Sequence, residues 1–83
     1  MYLTLRFFAS IRETIGHASE PYEGTAADLA ALRDELVGRG APYAQALARG
    51  KAVRMALNQT LCSDDAILVD RAEVAFFPPV TGG

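Results

Sequence analysis

Seven residues near the start of the chain, Tyr2 to Phe8, alternate strictly enough to admit one local structure. Leu3, Leu5 and Phe7 fall on one side and Tyr2, Thr4, Arg6 and Phe8 on the other, the period of a strand with one buried face. Such a strand cannot stand alone, because its backbone groups need sheet neighbours and its apolar side needs a covering layer. Both are legible further along. Residues 72 to 77, AEVAFF, read as a last strand, and residues 53 to 58, VRMALN, as another with Val53, Met55 and Leu57 on one side. Residues 17 to 23 form a weaker strand that Pro21 pushes to a sheet edge, since proline donates no ladder hydrogen bond. Thr60 to Cys62 make a very short strand after a turn at Asn58 and Gln59. The cover is a helix with Leu29, Leu32 and Leu36 on one stripe, expected to start at a Thr25 cap with Asp28 in its first turn.

Two shorter helices complete the order. Ser10, with Glu13 three residues on, fits a capping box before a helix carrying Ile11 and Ile15, and Gly16 supplies the left-handed stop. Pro42 can open a further helix with Tyr43 and Leu47, ended by Gly50. The elements describe a mixed sheet against one main helix, an α+β chain whose expected architecture is the ubiquitin-like β-grasp. A chain of 83 residues has surface enough to bury for one core only. The expected organisation is a single domain at 1–77 with an extended tail at 78–83.

Hydrophobic residues at 51% and charged residues at 22% are the proportions of a folded chain and exclude a disordered one. No apolar run approaches the roughly 18 residues of a membrane span. The N-terminus alternates where a secretory signal would be charged and then continuously apolar, so a cytoplasmic location and no membrane partner are expected. A net charge of −2, with aromatics not interleaved among basic residues, argues against a nucleic-acid partner. Arg39, Arg49, Lys51 and Arg54 concentrate positive charge in one region and read as a solvated face. Cys62 is the sole cysteine, so the chain can build neither an internal disulfide nor a cysteine-based zinc site, and no metal is expected.

Catalytic side chains are scarce. His17, the single histidine, follows a helix-ending glycine and reads as an exposed loop residue. Cys62 reads as a structural thiol with no cation nearby in sequence to lower its pKa. Asp64 and Asp65 are adjacent, so they point apart and serve local loop hydrogen bonds. No glycine-rich phosphate cradle follows a strand. Chemistry is therefore expected at the end of the chain, FFPPVTGG.

Pro78 and Pro79 stiffen the base of that tail by fixing φ near −65° or so. The six residues after Phe77, if extended, reach on the order of 20 Å. Gly82 and Gly83 lack Cβ atoms and can enter a channel too narrow for other residues, bringing the terminal carboxylate to another protein's groups. A carboxylate is a poor electrophile, so a partner must activate it, most simply as an acyl-adenylate from ATP. An amine could capture that adenylate, giving a protein modifier; a sulfur donor could capture it, giving a thiocarboxylate.

The segments LRFFASIRE (5–13), LNQTL (57–61) and above all EVAFFPPVTGG (73–83) closely resemble the small, sulfur-carrying subunit family of molybdopterin synthase. The resemblance implies a β-grasp fold and a Gly83 that is adenylated by a ubiquitin-activating-type enzyme, with ATP consumed by that partner and no cofactor held by the chain itself. It further implies a thiocarboxylate inserted into the large synthase subunit, in a heterotetramer of two small and two large subunits. There the sulfur would pass to cyclic pyranopterin monophosphate to build the molybdopterin dithiolene. Arg12, Leu61 and Phe77 match partner-facing positions, and Pro78, Pro79, Val80, Thr81 and Gly82 match the threaded arm. Phe77, together with Phe8, is also expected on the sheet face the helix leaves open. Sulfur carriers for thiamine or tRNA thiolation, ubiquitin-like modifiers, and a plain interaction domain with an inert tail share parts of the pattern. One departure stands out: the family commonly has Gly-Asp before the last strand, where Arg71 and Ala72 follow Asp70. Arginine at positive φ would cost about 1 kcal/mol, so a different local turn is expected there.

Overall fold

The opening alternation forms β1, Tyr2–Phe7, with Leu3, Leu5 and Phe7 fully buried. The computed structural model describes residues 1–79; Val80, Thr81, Gly82 and Gly83 lie outside the described residues. Four further strands, β2 (Ser19–Glu23), β3 (Arg54–Leu57), β4 (Thr60–Cys62) and β5 (Glu73–Phe77), join β1 in one sheet of order β2-β1-β5-β3-β4. The β1–β5 pair is parallel, with Leu5 opposite Val74 and Phe7 opposite Phe76, and the other pairs are antiparallel. Pro21 sits in edge strand β2, where its missing N–H costs no ladder bond. At the β3–β4 hairpin, Asn58 (φ 49) and Gln59 (φ 68) are both left-handed, the turn that matches strand twist, and the Asn58 side chain accepts the Glu73 N–H at 2.9 Å.

Three helices cover one face: α1 (Ala9–Ile15), α2 (Leu29–Val37) and α3 (Tyr43–Leu47). Leu29, Leu32 and Leu36 are 0% exposed and meet Leu3, Leu5, Val74 and Phe76, so the leucine stripe is the cover that β1 requires. Burying each such side chain contributes about 1.5–3 kcal/mol. The Phe7 and Phe76 rings stack with centroids 5.8 Å apart, and Tyr43 meets Phe7 edge-on at 6.4 Å. A mixed sheet embracing one main helix, with β1 and β5 parallel at its centre, is the ubiquitin-like β-grasp. Among the described residues no helix is long and apolar enough to cross a membrane.

Four local expectations are corrected. Helix α1 is not capped by Ser10: Phe8 is the N-cap, without a side-chain bond, and Ser10 lies inside the helix. The chain turns directly out of β1 through Ala9 at φ 51, while the Phe8 N–H is held by the Phe76 carbonyl at 3.1 Å, leaving no extended residue for a serine cap. Helix α2 starts from Asp28, whose carboxylate accepts the Ala31 N–H at 2.8 Å, and not from Thr25. Residues 27 and 28 are held extended by pairing with the loop at 66–68, through Leu68 N–H to Ala27 O at 2.9 Å and a bridge from Asp28 to Ile67, so helix cannot begin earlier.

Helix α3 ends at Ala48, before Gly50, because Arg33 takes the carbonyls there. Its Nε donates to Leu47 O at 2.6 Å, and its Nη2 donates to Ala48 O at 2.8 Å and Lys51 O at 3.0 Å. At Arg71 the left-handed turn is kept, with φ 71, in place of the altered turn expected. The Arg71 N–H donates to Tyr2 O at 2.6 Å, the neighbouring Asp70 carboxylate accepts the Tyr2 N–H at 2.7 Å, and the guanidinium lies 5.3 Å over the Tyr2 ring. These contacts offset the roughly 1 kcal/mol of a left-handed arginine.

Candidate functional site: the foot of the C-terminal arm and the open sheet face

Because β1 and β5 run parallel, they end together, and three features gather at that end. Phe8 and α1 continue from β1, Pro78 and Pro79 continue from β5, and Arg54, opposite Phe77, starts β3. The strand that carries the arm is central, hydrogen-bonded on both sides, and its penultimate residue, Phe76, is fully buried against Phe7. A load on the arm therefore falls on the best-anchored strand of the sheet.

The face away from the helices is set by register. Leu61 lies opposite Ala56, Ala56 opposite Ala75, and Ala75 opposite Arg6, so one row runs across four strands. Ala56 and Ala75 are small and make a shallow floor, while Leu61 stands above it at 56% exposure. Phe77, on the same side of β5, is half-buried, and Phe8 is exposed with the Arg6 guanidinium 5.6 Å over its ring. Arg6 and Glu73, both half-buried, pair at 3.5 Å, a long contact that contributes at most about 1 kcal/mol.

Among the residues singled out from the sequence, Leu61 and Phe77 thus share the open face. Arg12 stands apart from them, exposed on α1, the helix that packs on α3 and reaches β5 at the arm end. Pro78 is half-buried at the foot of the arm. The positions proposed for threading beyond it, Val80, Thr81 and Gly82, and the carboxylate of Gly83, lie outside the described residues.

The few groups with catalytic potential are scattered. His17 precedes edge strand β2 and Cys62 lies on the opposite edge strand, β4, so the sheet separates them. His17 is exposed, with Nε2 2.9 Å from the Glu20 carboxylate. Glu20 also accepts from Tyr43 at 2.5 Å and Arg39 at 3.1 Å. Burial alone would raise the Glu20 carboxyl, but the bonds from Tyr43, His17 and Arg39 outweigh it and hold it below its ordinary value. Half-buried Cys62 packs at the core margin, with Sγ 3.1 Å from Thr60 O. Of the two adjacent aspartates only Asp65 serves locally, taking the Ser63 hydroxyl at 2.6 Å; the Asp64 carbonyl accepts the Ala30 N–H of α2 at 2.8 Å, and its carboxylate lies 3.6 Å from Arg49. Among the described residues no three His, Cys, Asp or Glu side chains group to hold a metal ion.

Sequence reasoning missed the role of Arg33. It lies four residues after Leu29 and three before Leu36, inside the leucine stripe, and a charged residue at that spacing was the available signal of a buried clamp. It also missed a pocket of about 250 Å³ between α1 and α3, bounded on one side by Pro78.

The fold, with the chain leaving its central strand through Pro78 and Pro79, defines a class, and the match to a family model makes it explicit: residues 5–83 match the ThiS family, and the chain belongs to it. Two curated relatives are similar over nearly the whole chain. One is the molybdopterin synthase sulfur carrier subunit of Escherichia coli, 44% identical over 77 residues that cover 93% of this chain and 94% of the relative. The subunit of the same name from Haemophilus influenzae is 42% identical over 81 residues, covering 98% and 99%. Among solved structures, a chain from the protein–protein complex of subunits 1 and 2 of the molybdopterin-converting factor of Helicobacter pylori superposes with a TM-score of 0.67. It is 26% identical, with 100% of both chains covered.

Proposed function

We propose that this chain is the sulfur carrier subunit of a molybdopterin synthase, with the terminal carboxylate of Gly83 as its functional group. The observation that carries this reading is the 42–44% identity to subunits of that name, extending across nearly the whole chain. The placement of the arm supports it. A carrier must survive repeated insertion and withdrawal of its tail, and an arm continuing from the central strand β5 transmits that load to the core.

The chemistry runs in three steps. In a ubiquitin-activating-type partner, a Gly83 carboxylate oxygen attacks the α-phosphate of ATP, and pyrophosphate leaves. A sulfur donor then displaces AMP from the carbonyl, leaving a thiocarboxylate. In the large subunit that sulfur attacks a carbon of cyclic pyranopterin monophosphate and displaces the oxygen substituent that carbon bears, and water then cleaves the acyl–sulfur bond, leaving sulfur on the pterin and restoring the carboxylate. Splitting one hard transfer into easier ones is the logic of covalent catalysis. The chain itself supplies shape: Leu61 and Phe77 offer the open face to the large subunit, Arg12 supplies a charge at the arm end, and Pro78 and Pro79 aim the arm. Two small and two large subunits form the working assembly.

The test is the intact mass of the chain after incubation with its adenylating enzyme, ATP and a sulfur source. An increment of one oxygen replaced by sulfur, localised to Gly83, is expected. Deleting Gly82 and Gly83 should abolish it while leaving the melting temperature within about 2 °C, because the buried core is built from residues between Leu3 and Phe76. An unshifted mass with an adenylating enzyme active on a control would refute the reading.

A further inference from the structure

We infer that the pocket at the foot of the arm receives an acidic side chain of the large subunit, with Lys51 as its charged partner; this rests on the function proposed above. The pocket, about 250 Å³, is large enough for a glutamate side chain. The Ser10 and Thr14 hydroxyls, four residues apart and so on one face of α1, line one wall. Gln45 of α3 and Lys51 line the other, with Ile11 and Pro78 supplying apolar surface for a methylene stem. The lining holds three uncharged polar groups able to donate, one cation and no carboxylate, a set suited to an anion and hostile to a cation.

Lys51 is the one basic residue among those lining the pocket, and two of its basic neighbours are committed elsewhere. Arg49 is committed to Asp34 at 2.7 Å and lies 3.6 Å from Asp64, and Arg39 is committed to Glu20 at 3.1 Å. Among the described residues, by contrast, no carboxylate stands within ion-pair reach of Lys51, so its charge is available to an incoming group. Its backbone is also held in place, because the buried Arg33 donates to the Lys51 carbonyl at 3.0 Å. A cation whose main chain is already fixed loses less entropy on binding.

Position decides the occupant. Pro78 is both a wall of the pocket and the first residue after β5, so a protein that grips the chain at that point is brought beside the pocket. The Helicobacter pylori structure matched above is a protein–protein complex of subunits 1 and 2 of the molybdopterin-converting factor, and under the function proposed above this is the pairing of carrier and acceptor. The occupant is accordingly an aspartate or glutamate on the large subunit, beside the mouth of the channel that takes the arm.

Titration calorimetry of the full chain against its large subunit tests this. Lys51→Glu should weaken binding by at least about tenfold and Lys51→Gln by a few-fold, with the salt dependence of affinity reduced in both. Thiocarboxylate loading of Gly83 and the melting temperature should match wild type, since Lys51 is exposed. A reversal scan of large-subunit acids to lysine should restore Lys51→Glu binding at one position. Binding of Lys51→Glu within twofold of wild type would overturn the inference, as would a loss of loading as large as the loss of binding, which assigns the pocket to the activating enzyme. Wild-type chain that fails to bind the large subunit at all would instead overturn the function proposed above.

Discussion

Arg33→Met removes the fork that clamps the end of α3 while keeping most of the side-chain stem. Arg33 is 7% exposed, and its guanidinium donates to the carbonyls of Leu47, Ala48 and Lys51. Hydrogen bonds from a charged donor contribute about 1.5–3 kcal/mol each, so simple addition over three would exceed 4 kcal/mol. That sum overstates the loss, because burying the guanidinium itself costs desolvation, which methionine does not incur. The Ala48 and Lys51 carbonyls also sit in partly buried surroundings that water can reach once the fork is gone. The carbonyl of Leu47, a residue with 0% exposure, is left without its donor. A net destabilisation of about 3 kcal/mol follows. For a domain of this size each kcal/mol moves the melting temperature by about 4–8 °C, giving a fall of about 12–24 °C in a calorimetric or circular-dichroism melt. Total stability for such a chain is about 4–12 kcal/mol, so the variant should still be folded in the cold. A fall of less than about 4 °C would refute the reasoning, since it would mean that water replaces the clamp at no net cost.

Leu61→Arg, on the open face, should weaken capture by the large subunit by about tenfold or more while moving stability by no more than about 0.5 kcal/mol, because Leu61 is 56% exposed; pull-down and melting together check it. Equal losses in both measurements would mean that Leu61 serves folding. Glu20→Gln tests the polar cluster at the β2 edge. The Glu20 carboxyl is held below its ordinary value of 4.5, so its ionised form stabilises the fold fully above that pH, and the contribution fades as pH falls through the lowered folded value. Melts at pH 7, 5, 4 and 3 should therefore show the variant less stable than wild type at pH 7, with the gap closing below about pH 4.5. A gap that stays constant down to pH 3 would refute the assignment.

Some of this protein is local and periodic, and that part is readable along the chain. The alternation of Leu3, Leu5 and Phe7 requires a one-sided sheet, and the spacing of Leu29, Leu32 and Leu36 supplies the helix that covers it, because each period puts its apolar residues on one face whatever the neighbours are. Pro21 at an edge and the left-handed Gly16 are likewise consequences of single-residue geometry. The similarity to the sulfur carrier subunits is equally a property of residue order. Where two segments distant in sequence compete for the same backbone groups, local rules lose. Thr25 is a good cap by composition, yet the loop at 66–68 pairs with residues 27 and 28 and passes the role to Asp28. Ser10 loses its cap because Phe8 is held by Phe76, 68 residues away along the chain. Arg71 keeps a left-handed turn because Tyr2 and Asp70 hold it there. The burial of Arg33 and the pocket beside Pro78 depend on α2 and α3 packing together and on α1 starting at the end of the sheet from which the arm leaves. Those are distances between elements, and no periodicity within a segment encodes them.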